Sequence, residues 1–233
     1  MKSYTIEIQL ISDAIIGSGE GFGSLIDTDI VFDGLGVPFI PARRIKGCLR
    51  DAAQEVCEMM GNAGITSFID LKKEARSEGT QVFSLVEETF GRHGHVASAP
   101  VFFSNFTIEE YEPNTRWLQY LRHTYPNVMS QDSILSVYGY TRQQTGINER
   151  GVADEHSLRT IRAVKKGVVF NGEVRTDMEN ADTERLLALA CANLRCLGTK
   201  RNRGFGEVEC RLLSGTAEVS KTVLNELEAL CKN

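Results

Sequence analysis

The sequence predicts an α+β sandwich, and three observations carry that expectation. Residues 5–11 alternate, with Ile6, Ile8 and Leu10 on one face and Thr5, Glu7 and Gln9 on the other, the pattern of a half-buried strand. Residues 43–60 carry Ile45, Leu49, Ala52, Val56 and Met59 at helical spacing, a single buried stripe. Near the other end the order returns: a helix over 183–197 with Leu186, Leu187, Ala190 and Leu194 on its core face, then an alternating strand over 207–212. A strand, helix, strand order near both ends implies an α+β sandwich of the ferredoxin-like type. The 233 residues, 42% of them apolar, can bury a real core, and no Pro- or Ser-rich linker divides them, so a single domain over 1–233 is expected.

Between these anchors, Gly17, Gly19, Gly21 and Gly23 are evenly spaced, but no helix follows them. A dinucleotide-binding turn is therefore not indicated. The glycines lead into residues 25–32, read as a second strand. The helix over 43–60 carries Arg43, Lys46 and Arg50 in its first turns, where the helix dipole favours carboxylates. Cations placed against that preference point to an anionic ligand, the alternative being ion pairs with Asp51 or Glu55. Segments 62–88 and 113–136 have weak periodicity and read as lid-like insertions or contacts to neighbouring subunits. Within the second, the helical spacing of Trp117 and Tyr120 favours packing in a core over stacking on a base. The polar, glycine-containing stretch over 140–167 is too long for a tight hairpin and reads as an exposed functional loop. Asp182 is expected to cap the helix over 183–197 and Gly198 to end it. A last amphipathic helix carries Val219, Val223, Leu227 and Leu230.

Composition narrows the function. Twenty-six Lys and Arg against 31 Asp and Glu give a formal charge of −5, unlike a free-standing nucleic-acid binder. No apolar leader opens the chain and no stretch is long enough to span a bilayer, so a cytoplasmic protein is expected. The six cysteines contain no Cys-x-x-Cys pair, and most are expected to be reduced, small core residues. His93 and His95 could supply two metal ligands, but no nearby Cys or carboxylate completes a set, and no zinc is expected.

The cations are not evenly spread. Ile40-Pro41-Ala42-Arg43-Arg44-Ile45-Lys46-Gly47 and Gly198-Thr199-Lys200-Arg201-Asn202-Arg203-Gly204-Phe205-Gly206 each set basic side chains beside a helix start or a glycine turn. Exposed backbone N–H groups there can also face a phosphate. The pair reads as a cradle for an RNA backbone, with binding local and shared with partner subunits.

These residues resemble the RAMP (repeat-associated mysterious protein) superfamily of CRISPR systems, in particular the repeated backbone subunit of type III Csm and Cmr effector complexes. The resemblance rests on Pro38 to Gly47, on Phe90-Gly91 leading to Val101-Phe102-Phe103-Ser104, on Thr145-Gly146 with Ser157 to Val164, and on the corner Gly198 to Gly206. It implies a modified RNA-recognition sheet with a protruding thumb hairpin, copies of which stack along a guide RNA beside other subunits of the effector. Arg43, Arg44, Lys46, Arg50, Gly198, Lys200, Arg201, Arg203 and Gly204 would hold guide phosphates. The 140–167 segment would be the thumb that crosses the guide–target duplex, with Ile147, Leu158 and Ile161 as wedges and Arg142, Arg150, Arg159 and Arg162 on phosphates. Ala42 departs from the small Gly or Ser usual in the family, and Arg43-Arg44 replaces a usual Ser pair, adding positive charge.

Counting back from Ile40-Pro41, the resemblance places Asp27 on the family's catalytic aspartate. There it would hold a Mg²⁺ while the target RNA's 2′-hydroxyl attacks the adjacent phosphate in line. Asp29, two residues on, is a helper or the true position. Two alternatives stay open: a metal-independent guide-processing endonuclease using His93, His95, His123 or His156 as general acid or base, and an inactive architectural subunit.

Overall fold

A computed structural model of the chain describes residues 2–17, 26–65, 67–69, 84–91, 101–154, 156–177 and 180–232. Strand β1 (Lys2–Leu10) leads through the two-residue β2 (Phe39–Ile40) into helix α1 (Ala42–Asn62) and the short α2 (Leu85–Phe90). Strands β3 (Val101–Phe103) and β4 (Phe106–Ile108) precede α3 (Tyr111–Thr124) and α4 (Gln131–Tyr138). A hairpin of β5 (Gly139–Gln144) and β6 (Arg159–Val164) follows. The chain closes with β7 (Val169–Thr176), α5 (Ala181–Asn193), a 3-10 turn at Arg201–Arg203, β8 (Val208–Ser214), β9 (Ala217–Glu218) and α6 (Val219–Cys231).

The main sheet runs β2-β4-β7-β1-β8-β9, every pair antiparallel, with β3 also on β7. Taking β1, α1, β3 with β4, β7, α5 and β8 in turn gives the βαββαβ arrangement the sequence predicts. Registers explain the core. Ile6 sits opposite Gly172 and Leu212, and Ile8 opposite Phe170 and Cys210, so the even-numbered face of β1 meets the apolar faces of both neighbours. Tyr4, Ile6, Ile8 and Leu10 are all buried there beneath α1 and α5, which pack on one another. Fully burying each such aliphatic side chain is worth about 2 kcal/mol. Gly172 faces the ring of Phe106 so closely that a Cβ there would lie 2.3 Å from Phe106 Cδ2.

Several expectations need correction. Of the expected strand over 25–32, the described residues 26–32 form none: Gly17–Ile30, Thr28–Ile161 and Phe32–Pro38 are isolated bridges to three different partners, so no ladder propagates. On α1 the apolar stripe ends at buried Met60, with Met59 54% exposed, because Val56 is followed on its own face by the residue four positions on. Helix α5 is capped by Asn180, whose Oδ1 accepts from the Asp182 N–H, and it stops at Asn193. Gly198 does not end it. At φ +84, Gly198 instead permits close passage of Ile15, whose carbonyl oxygen lies 2.4 Å from where a Cβ would be.

The 113–136 segment is mostly helical, forming most of α3 and the first part of α4 with a turn over 125–130 between them. Helix α3 buries Thr115 but leaves Trp117 and Tyr120 at 66% and 58% exposure, edge-on to one another at 6.0 Å, and outside the core. It is moored by polar bonds: Tyr111 Oη donates to Asp33 at 2.7 Å, and Arg122 donates to the Gly34 carbonyl. Burial and the Asp33 carboxylate push the Tyr111 hydroxyl up to about 12. On α6, Val223 is buried and Leu230 is 39% exposed. All six cysteines are free thiols. His93, His95, most of the 17–23 glycine run and much of 62–88 lie outside the described residues. Among the described residues no helix is long and apolar enough to cross a membrane.

Candidate nucleic-acid interface

The β5–β6 hairpin is zipped from Gly139 opposite Val164 to Gln144 opposite Arg159, so the 140–167 segment is ordered at its base. That base has a small core of its own, made of Ile15, Ile161, Ala163 and Phe205 with Tyr140 against it. Ile161 is therefore 1% exposed and packs the hairpin base, so it is not a surface wedge. Beyond the strands the chain folds on itself: Asn148 Oδ1 accepts from the N–H groups of Arg150 and Val152, and the Thr145 and Ser157 hydroxyls lie 2.7 Å apart. This leaves Ile147, Val152 and Leu158 projecting, at 69%, 60% and 61% exposure. Arg150 is exposed on the same tip.

The glycine corner is built against the hairpin base. Lys200 takes a left-handed conformation, φ 59, and Gly204 and Gly206 follow at φ 77 and 81. Only glycine fits the last position, because a Cβ would fall 2.0 Å from the Leu197 carbonyl oxygen, which closes the corner from the other side. The reversal exposes Arg201, Asn202 and Arg203 while returning Phe205 to the small core. Lys200 Nζ donates to Gln144 Oε1 at 2.6 Å, which ties corner to hairpin. Between them lies a cleft of about 920 Å³ lined by Gln144, Ile147, Arg159, Lys200, Arg201 and Arg203 among others.

Its electrostatics are one-sided. The Lys200 ammonium is shifted downward by burial and then by the neighbouring Arg203, Arg159 and Arg142, with Asp27 acting in the opposite sense. Arg142 lies over the Phe205 ring at 5.8 Å from its centroid. Among the described residues none of Arg142, Arg159, Lys200, Arg201 and Arg203 forms an ion pair, whereas Arg162, Arg175, Arg185 and Arg211 all do. The open face of the main sheet differs: Arg211 pairs with Glu7 and Glu209, and Arg175 with Glu173, so its charges are already compensated.

The other basic segment adjoins this corner. Helix α1 starts at Pro41 with no side-chain cap and no acidic residue in its first turn, leaving its N–H groups uncompensated by carboxylates. Asn105 Oδ1 accepts from the Ala42 N–H. Arg43 is exposed, Arg44, Lys46 and Arg50 are half-buried, and among the described residues none pairs with Asp51 or Glu55. Burial, then Arg50, shifts the Lys46 ammonium downward. A groove of about 410 Å³ joins Cys48, Asp51 and Glu55 of α1 to Arg201 and Asn202 of the corner. Burial raises the Cys48 thiol, and the strongest opposing influence is Arg201. Two stretches far apart in sequence thus share Arg201.

Asp27 stands at the rim. Its N–H donates to the Thr160 carbonyl at 2.9 Å and its Oδ2 accepts from the Thr160 N–H at 2.7 Å, while the side chain stays exposed. Asp29 is 3% exposed, and its carboxylate accepts from Arg162 Nη1 at 3.0 and 2.9 Å and from the Ile30 N–H. Arg162 is consequently an internal partner of Asp29 rather than a free phosphate ligand, and Asp29 is not available as the open carboxylate. Of the histidines, His123 lies in α3 and His156 beside the hairpin tip. Among the described residues no three His, Cys, Asp or Glu side chains group as metal donors.

Sequence reasoning missed Asp13. Its Oδ2 accepts from Tyr140 Oη at 2.7 Å, its Oδ1 from the Lys166 N–H and its carbonyl from the Gly206 N–H, so one residue clamps β5, the turn after β6 and the corner. Nothing local marks it, because its partners are distant in sequence. Val152 and Phe205 were missed as well. The first looks like any loop apolar residue, and the second becomes part of the site only once the corner turns it toward β6.

Among solved structures, the chain resembles a chain of the type III-B Cmr-beta complex in its apo state, with a TM-score of 0.58 and 15% identity over 93% of this chain and 99% of that one. A chain of type III-B Cmr-beta bound to cognate target RNA gives 0.59 and 13% over 96% and 99%. At such identities the likeness establishes the fold. No protein of curated function matches. The sequence profile of the RAMP superfamily matches residues 7–209, nearly the whole chain, and the protein belongs to that superfamily.

Proposed function

We propose that this protein is a guide-RNA-binding backbone subunit of a type III CRISPR effector, assembling with further copies of itself and with other subunits, and that it cleaves complementary target RNA at regular intervals. The observation that carries the reading is a cleft whose cations form no ion pair among the described residues, with an apolar-tipped hairpin on one side and the exposed Asp27 carboxylate held by Thr160, next to the lining residue Arg159. The cations of the corner and of α1 follow an RNA backbone by charge and by open N–H groups. Ile147 and Leu158, joined by Val152, are placed to part stacked bases, as apolar wedges do elsewhere. Unstacking matters chemically, since a 2′-hydroxyl in a regular A-form strand is not in line with its own 3′-phosphate.

The residues fit a Mg²⁺ ion. That ion is commonly held by one or two carboxylates together with substrate phosphates, and Asp27 Oδ1 makes no hydrogen bond among the described residues while Oδ2 is fixed by Thr160. When bound, the ion would stabilise the charge that develops on the attacked phosphate. Arg159 and Lys200 add positive charge at the same rim, and Thr160 fixes the direction in which Asp27 points. Soluble-complex work in the cytoplasm is the setting this reading expects.

The test is cleavage of a labelled RNA complementary to the guide, by the assembled complex with Mg²⁺, comparing wild type with Asp27→Ala. Regularly spaced cuts that vanish in the variant while guide and target stay bound are expected. Unchanged cutting in the variant would remove Asp27 from the reaction, and no cutting by either protein would favour an architectural subunit.

A further inference from the structure

We propose that Arg162 and Asp29 are positioning residues for Asp27, forming a buried brace that holds the carboxylate-bearing segment to the hairpin. The proposal rests on the catalytic reading of Asp27 given above.

Residues 27–29 belong to no sheet. They lie along β6 as a single parallel bridge, Thr28 beside Ile161. Asp27 and Thr160 exchange backbone and carboxylate bonds, and Arg162 N–H donates to the Thr28 carbonyl at 3.0 Å. A bridge of this size at the protein surface opens readily, because each of its bonds competes with water. Its inner end is different in kind. Asp29 is 3% exposed, the Arg162 side chain 14%, and both Asp29 oxygens accept from the same Arg162 nitrogen. The Phe32 ring lies 5.8 Å from the guanidinium carbon and screens the pair, and the Ile30 N–H completes the shell of Asp29 at 2.8 Å.

In an extended segment residues two apart point to the same side. Asp27 and Asp29 both turn toward β6, one at the rim and one inside. The inner carboxylate is neutralised and immobilised; the outer one is left exposed and merely oriented. Arg162 reaches Asp29 from the same strand whose Thr160 N–H holds Asp27 Oδ2. The Asp27 segment is therefore joined to the hairpin base by the outer Thr160 and Thr28 bonds and, on the inside, by this one buried ion pair.

The experiment compares assembled complexes carrying wild type, Asp27→Ala, Arg162→Lys, Arg162→Met and the double variant Arg162→Met with Asp29→Leu. The double variant replaces the pair with two apolar side chains, and so guards against a misfolded single variant that leaves Asp29 buried alone. Single-turnover cutting at saturating target, target affinity, and deuterium uptake by the peptide containing Thr160 are measured. Asp27→Ala is expected to be inactive. The double variant should retain guide and bind target within about twofold of wild type, yet cut at least tenfold more slowly, with faster exchange at Thr160 and partial recovery of both in Arg162→Lys. Wild-type cutting and exchange in the double variant, with Asp27→Ala inactive, would overturn the brace alone. Wild-type cutting by Asp27→Ala would overturn the catalytic reading together with the proposal built on it.

Discussion

Replacing Arg142, Arg159, Lys200 and Arg203 together with Gln should change how RNA binding depends on salt more than it changes the fold. Arg159, Lys200 and Arg203 line one cleft and Arg142 acts on Lys200 beside it, and among the described residues none of the four is in an ion pair. Each is therefore free to meet a phosphate. Every such contact with a single strand contributes about −0.7 to the slope of log K against log salt. Removing four should make the slope shallower by about 2.8, since Arg162, neutralised by Asp29, does not count. Between 50 and 200 mM salt that difference corresponds to roughly a fifty-fold larger loss of affinity for wild type than for the variant. The assay is fluorescence anisotropy of a labelled single-stranded RNA titrated with the full-length protein at several salt concentrations, with circular dichroism to verify folding. A control in which Arg175 and Arg211 become Gln should leave the slope unchanged, because both are paired with glutamates on the open sheet face. A slope that the fourfold change leaves within about half a unit of wild type would refute the placement of the RNA backbone in this cleft.

Gly206→Ala forces a side chain into φ 81 and against the Leu197 carbonyl oxygen, so it should cost more than the roughly 1–2 kcal/mol of left-handed strain and lower Tm by about 4 °C or more in a thermal melt; an unchanged Tm would mean the corner is not closed as described. Tyr111 titrates near 12 in the folded chain against about 10 unfolded. The folded state thus keeps the proton while the unfolded state loses it, and stability that is complete below pH 10 should decline as pH rises toward 12. Denaturant midpoints across that range should show a smaller decline for Tyr111→Phe than for wild type.

What the sequence made legible was what depends on local period. Ile6, Ile8 and Leu10 announce β1 because a sheet face repeats every two residues, and Ile45, Leu49, Ala52 and Val56 announce α1 for the corresponding helical reason. The two basic segments were readable because glycine and cation clustering is itself local. The 25–32 segment shows why that logic has an edge: its apolar and β-branched residues suit a strand, yet Asp29 is buried and is accommodated by Arg162, a residue far along the chain. Ile161, a wedge by the family resemblance, is buried with Phe205 and Ile15, neither of which is near it in sequence. Trp117 and Tyr120 fail in the opposite direction. Their spacing implies a buried stripe, but α3 is held by Asp33 and Gly34 at its flank, which leaves the aromatic pair outside. Asp13 escaped notice because a clamp is defined by what it joins.

The contact between Gly172 and Phe106 constrains how this sheet can drift over generations. A side chain arising first at 172 meets an aromatic ring already in its place. A shrinkage arising first at 106 opens a hole beneath β7 that a later alanine could fill. The order of events is thus imposed by geometry, and the two positions descend as one character: lineages should hold either glycine with a large ring, or a larger residue with a small one.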